Sequence, residues 1–144
     1  MRDEVLIAEG VTPFDFLNGS AIGRFGGSPA HNVDVSLYRW NKGLGVFLGA
    51  NYQTGTDVSA SDGDLFFSDL FVADFRLTFE FNYSDRILGW APFLEETRLA
   101  IGVDNILDDK IQVTDASGNT PLTFQEDIID PFGRVFQFEL RRRF

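Results

Sequence analysis

The chain has no cysteine, one histidine and one methionine among 144 residues. Without thiols, a disulfide scaffold and a thiolate metal site are both excluded. The single histidine, His31, leaves no pair for zinc and no second imidazole for a relay. Positive charge is scarce as well: 12 Lys and Arg face 22 Asp and Glu, for a net charge of −10 and a pI near 4.4. Phosphate backbones are held by clustered Lys and Arg, so nucleic acid is not a partner. No apolar run approaches the roughly 18 residues of a transmembrane helix. Met1-Arg2-Asp3-Glu4 does not open a secretory leader, which begins basic and turns apolar. Mean hydropathy is only −0.06, yet the chain holds 16 Phe and 14 Gly, and their order is informative.

Residues 1–31 are broken by Gly10-Val11-Thr12-Pro13 and Gly26-Gly27-Ser28-Pro29, which read as loop. A short strand is expected there at Glu4–Ala8. From Asn32 a period of two takes over. Val33, Val35 and Leu37 alternate with Asn32, Asp34 and Ser36, and Asn41-Lys42-Gly43 predicts a three-residue hairpin with Gly at positive φ. Leu44, Val46, Leu48, Ala50 and Tyr52 then alternate with Gly45, Phe47, Gly49, Asn51 and Gln53. After a polar loop at Gly55–Ser68, Ala73, Phe75, Leu77, Phe79, Phe81 and Tyr83 occupy one face. Asp74, Arg76, Thr78, Glu80, Asn82 and Ser84 occupy the other. Strict alternation of this kind predicts strand. A turn region at Asp85–Glu96 precedes a strand at Thr97–Leu107. A long loop at Asp108–Gly133 precedes the last strand, Arg134–Phe144, with Phe136, Phe138, Leu140 and Phe144 on one face. No internal repeat or low-complexity tract is present.

These strands run to about ten residues, whereas globular strands are commonly about 5–6 and a bilayer is crossed by about 9–11 tilted residues. The apolar face could be a soluble core or a lipid surface. Two features favour lipid. Short and long connections alternate, which puts both long loops at one end of the sheet, as in outer-membrane barrels. Aromatics sort by height: Trp40, Tyr83, Trp90 and Phe144 fall at the short-turn end, with Tyr52 and Phe71 towards the other. About five strands cannot close, since the smallest bacterial barrels use about eight, and an open edge in lipid strands backbone N–H and C=O groups. The expectation is therefore an all-β antiparallel meander forming the last strands of an incomplete transmembrane β-barrel, over residues 1–144. Residues 1–31 are mostly outer loop, and the chain is a C-terminal portion of a longer one.

Leu99-Ala100-Ile101-Gly102-Val103-Asp104-Asn105-Ile106-Leu107-Asp108-Asp109-Lys110 resembles the penultimate strand of TonB-dependent outer-membrane receptors, with its V-x-N-[LI]-[FL]-D-x-[KY] ending. Asp130-Pro131-Phe132-Gly133-Arg134 and the terminal strand resemble the family's D-P-x-G-R lead-in and closing strand. Phe144, with Leu140, Phe138 and Phe136 at alternate positions before it, is similar to the signal read by the barrel-assembly machinery. Gly26-Gly27-Ser28-Pro29-Ala30-His31 resembles a further receptor segment, although Arg is more usual at Ala30 and an apolar residue at Arg142. The resemblance implies uptake of a scarce nutrient, such as an iron–siderophore complex, across a Gram-negative outer membrane. Its partners would be membrane lipid, the remainder of the barrel with its plug domain, and the TonB energy-coupling complex. The plug and coupling box are not in this sequence.

Other constellations carry blander readings. Asp57-Val58-Ser59-Ala60-Ser61-Asp62-Gly63-Asp64 alternates oxygen donors but lacks the Glu and spacing of a calcium loop. Asp104, Asn105, Asp108 and Asp109 suit a strand-ending turn better than a metal cluster. Glu95–Glu96 and Glu126–Asp127 are sequence neighbours with nothing to mark a cleft, so a carboxylate-pair enzyme is not expected. Gly19, Gly23, Gly26 and Gly27 lack the strand–turn–helix setting of a phosphate loop. Arg141-Arg142-Arg143 reads as a rim that snorkels to headgroups or pairs with lumen acids such as Glu139. No catalytic residue, cofactor or metal is expected. Lipid contact falls to Phe75, Leu77, Phe79 and Phe81, and the aromatic girdle to Trp40, Tyr83 and Trp90. This facing predicts that Arg is costly at Leu77 and nearly silent at Thr78. The rival expectation is a soluble secreted β-sandwich binding module, whose apolar face would pack on a second layer.

Overall fold

A computed structural model describes residues 4–5, 14–15, 26–59 and 63–143. Ten strands are β1 (Glu4–Val5), β2 (Phe14–Asp15), β3 (Asn32–Asn41), β4 (Leu44–Gln53), β5 (Thr56–Val58), β6 (Leu65–Phe67), β7 (Leu70–Glu80), β8 (Thr97–Asp104), β9 (Val113–Asp115) and β10 (Val135–Arg142). Among the described residues, two short helices, α1 (Asp85–Trp90) and α2 (Glu126–Ile129), and three 3-10 turns accompany these strands. The protein is thus mostly antiparallel β-sheet, as its alternation predicts. β1 pairs with β2; the rest of the strand expected at Glu4–Ala8 lies outside the described residues.

The long strands form one sheet in the order β10-β8-β7-β4-β3. β3 and β4 are joined by a two-residue turn, Lys42-Gly43, with φ of 46° and 79°. Two positive φ values mark the hairpin turn whose twist matches its strands; the expected three-residue loop is one residue too long. At this end of the sheet the Glu80 amide donates to the Gly43 carbonyl at 2.7 Å, which sets the end of β7 beside the start of β4. β7 and β8 are antiparallel, as are β8 and β10. Each long strand therefore neighbours the next long strand along the chain.

Two compact units divide the molecule. One consists of residues 34–50, 72–108 and 134–144 and carries most of the long-strand sheet. The other consists of residues 1–33, 51–71 and 109–133, the N-terminal segment and the two long connections. Those connections are not the plain loops their polarity predicts. β5, β6 and β9 make a three-stranded sheet, and Val58, Phe67, Ile111, Val113 and Ile129 form its core with Leu65, Leu70 and Phe124 packed against them. The Phe67 and Phe124 rings meet edge to face at 5.7 Å. Fully burying a side chain such as Val113 contributes about 1.5–3 kcal/mol, enough to hold three-residue strands that could not stand alone.

The Val103–Lys110 motif ends β8 by a chain of backbone captures. The Asn105 amide donates to Asp74 Oδ1 at 2.9 Å, the Ile106 amide to the Ala73 carbonyl at 2.7 Å, and the Arg134 amide to Asp108 Oδ1 at 2.8 Å. Asn105 and Asp108 adopt φ of 51° and 58°, the left-handed region that Asn and Asp tolerate best. Asp130 accepts from the Phe132 and Gly133 amides at 3.2 and 3.1 Å, closing the turn that launches β10.

Candidate functional site

Register turns the alternation into rows. Phe75 lies beside Val103 and Val103 beside Phe136; Leu77, Ile101 and Phe138 form the next row, and Phe79, Leu99 and Leu140 the third. None of these nine side chains is buried. On the edge strands the exposure is extreme: Phe136 is 75% and Phe138 71% exposed, and Val35 on β3 is 63% exposed. Phe75, Leu77 and Phe79 are shielded only in part, and the buried core contains none of them.

The opposite face carries Arg76 beside Gly102 and Gln137, then Thr78 beside Ala100 and Glu139, then Glu80 beside Arg98 and Arg141. Here the small residues are covered: Thr78 and Ala100 are each 6% exposed. Arg76 Nη2 donates to Gln137 Oε1 at 2.7 Å, and Gln137 Nε2 donates to Asp104 Oδ2. A cavity of about 300 Å³ opens on this face between Tyr38, Phe47, Asp74, Arg76, Thr78 and Arg98. Across these rows the sheet is inverted relative to a soluble one: Thr78 and Ala100 are covered on the polar side, and none of the nine apolar side chains opposite is buried.

The sequence-predicted site residues fall in different places. Phe75, Leu77 and Phe79 sit on the apolar face of β7, as do Phe136, Phe138 and Leu140 on β10. Phe81 lies beyond the strand: β7 stops at Glu80, and Phe81–Tyr83 is a 3-10 turn. The cause is a long-range pair of hydrogen bonds: Asn82 accepts the Glu96 amide at 2.7 Å and donates to Glu96 Oε1 at 3.1 Å, pulling the chain out of the ladder. Phe81 packs edge to face on Phe79 at 5.0 Å. Tyr83 leans on Gly43 at the turn, and Trp90 ends α1 at 74% exposure. Trp40 is at this same end but on the polar face, its ring over Gly45 and beside Thr78. A ring in that position cannot belong to a girdle on the apolar side. Phe144 lies outside the described residues.

The remaining candidates are absorbed by structure. Asp109 accepts the Phe71 amide at 2.8 Å, Asp127 pairs with Lys110 at 3.2 Å, and the His31 backbone zips to Thr54. Asp57 and Val58 belong to β5, while Ala60–Asp62 lies outside the described residues. Among the described residues no three His, Asp or Glu side chains gather as a metal site.

Charge is partitioned between the units. Acids and bases balance in the strand unit, so the whole net charge of −10 resides in the unit built from the long connections. That signal was legible in the sequence by counting charges per segment. No family model, curated protein or solved structure matches the chain.

Proposed function

We propose that the five-stranded sheet is the C-terminal wall of a transmembrane β-barrel in a Gram-negative outer membrane. In this reading the protein is part of a TonB-dependent receptor that takes up a scarce nutrient such as an iron–siderophore complex. The observation that carries the membrane assignment is the inversion across those rows: three in-register apolar rows left uncovered on one face, with Thr78 and Ala100 covered on the polar face. Lipid is the solvent for which that arrangement costs least, since bilayer barrels alternate apolar-out and polar-in. Strands of 8–11 residues suit a hydrocarbon core that takes about 9–11. A strand unit with no net charge fits the same setting. The receptor assignment rests on the resemblance of Val103–Lys110 and Asp130–Arg134. A soluble sandwich would need a second layer on Phe75, Leu77 and Phe79, and no feature of the described residues favours it.

Membrane lipid and the barrel-assembly machinery are the partners this reading requires, with the remaining barrel strands, the plug and the energy-coupling complex. The cysteine-free sequence gives a direct test. Single cysteines at positions 75 to 80, labelled with a polarity-sensitive fluorophore in phospholipid vesicles, should report apolar surroundings at 75, 77 and 79 and wet ones at 76 and 80. Uniform water exposure, or a chain that folds cooperatively as a monomer in buffer without detergent, would defeat the membrane assignment.

A further inference from the structure

We propose that the short-turn end of the polar face binds a small oxyanion, a phosphate or a carboxylate group, between Arg98 and Arg141. A cavity of about 120 Å³ opens there, lined by Arg98, Arg141, Arg143, Glu80, Glu96 and Thr97. Register puts Arg98 and Arg141 directly opposite each other on β8 and β10, and like charges so placed destabilise a sheet. The Nε of Arg98 is buried with no hydrogen-bond partner, a donor that folding has taken from water without replacement.

The acids lining the cavity leave the Arg98 Nε without an acceptor. Glu96 Oε1 accepts from Asn82. Glu80 is opposite Arg98 in register, yet no ion pair joins them among the described residues. Arg141 reaches along its own strand to Glu139 at 3.2 Å, where both side chains are largely exposed. With Glu139 counted beside Arg141, three guanidinium groups face three carboxylates, so the cavity is close to neutral in a chain of net charge −10. A group with two or more acceptor oxygens matches the planar donor forks of Arg98 and Arg141, relieves their repulsion and gives the Nε its acceptor.

The test titrates the whole chain, in mild detergent and at fixed ionic strength, with inorganic phosphate and separately with acetate, followed by calorimetry. Saturable binding is expected, weakened at least tenfold by Arg98→Gln and by Arg141→Gln. Arg134→Gln, just before the start of β10 and outside the cavity, should leave it unchanged. The tighter of the two anions identifies the group as phosphate or carboxylate. Should Arg98→Gln fail to fold, Arg98→Lys keeps the charge but removes the fork, and binding should still fall. No saturable binding of either anion, or binding equal in all folded variants, overturns the proposal. The cavity lies wholly within the strand unit and anion binding there needs no lipid, so this result and the labelling experiment fail independently.

Discussion

Arg76 and Gln137 are hydrogen bonded at 2.7 Å although the strand carrying Gly102 runs between them. The contact exists because position 102 has no side chain. A Cβ there would stand 3.3 Å from the Phe75 carbonyl oxygen, 3.6 Å from Arg76 Nε and 3.7 Å from Gln137 Cβ. The glycine allows two second-neighbour strands to be tied across the polar face, and Gln137 extends the tie to Asp104.

Gly102→Val should therefore part Arg76 from Gln137 as well as crowd the Phe75 carbonyl. Overpacking of this kind costs about 1–3 kcal/mol, read as a lower denaturation midpoint in detergent. In a Gln137→Ala background the penalty should shrink, because one of the displaced groups is already gone. An equal penalty in both backgrounds would assign the whole effect to the backbone contact.

Trp40 gives a second test. Its Cε3 and Cζ3 atoms cover Gly45 so closely that a Cβ at 45 would occupy their place. An aromatic ring laid over a cross-strand glycine shields backbone that the glycine leaves bare. Gly45→Ala should push the ring into the cavity beside Phe47. In a Trp90→Phe background, where Trp40 is the remaining indole, the emission should shift to longer wavelength. A spectrum unchanged by Gly45→Ala would mean that the ring does not rest there in solution.

The same residue marks what sequence could and could not deliver. Position 40 has the parity of Asp34, Ser36 and Tyr38, so the alternation already assigns Trp40 to the polar face; reading its height alone made it a girdle residue. The bounds of β4 and the register-forming halves of β7, β8 and β10 were legible because their apolar period of two is long. β5, β6 and β9 were not, because Thr56–Val58, Leu65–Phe67 and Val113–Asp115 are too short to display a period. They exist through packing on Phe67 and Val113, which no local pattern announces. At Phe81–Tyr83 the pattern misleads in the other direction: alternation runs past the true strand end, which Asn82 and Glu96 set by a long-range pair of hydrogen bonds.

The Lys42-Gly43 turn predicts a stabilising change. Lys42 adopts φ of 46°, and the left-handed region costs an ordinary L-residue about 1–2 kcal/mol. Lys42→Asn, which creates the favoured Asn-Gly pair, should recover a few tenths to about 1 kcal/mol and raise the denaturation midpoint. Gly43→Ala should do the reverse, since its Cβ would lie 2.7 Å from the Glu80 carbonyl oxygen. A Lys42→Asn protein less stable than the parent would contradict the turn geometry.

The facing of the sheet is tested by paired arginines, and the structure changes which pair to use. Thr78 is 6% exposed beside Gly45 and the Trp40 ring, so Arg there would overpack the polar face rather than pass unnoticed as its parity alone suggests. Glu139 is the better control: it lies on the same face in an exposed position, and its pair with Arg141 is a surface contact contributing about 0–1 kcal/mol. Leu77 sits in the middle apolar row with Ile101 and Phe138. If that row meets hydrocarbon at mid-bilayer, Leu77→Arg should cost about 2–4 kcal/mol, while Glu139→Arg should cost no more than about 1 kcal/mol. The comparison is made by reversible unfolding from phospholipid vesicles and repeated in detergent micelles, where a thinner apolar belt should narrow the gap. Equal costs at the two positions in vesicles would mean that both faces of the sheet meet the same solvent, and the barrel reading would fall with the difference.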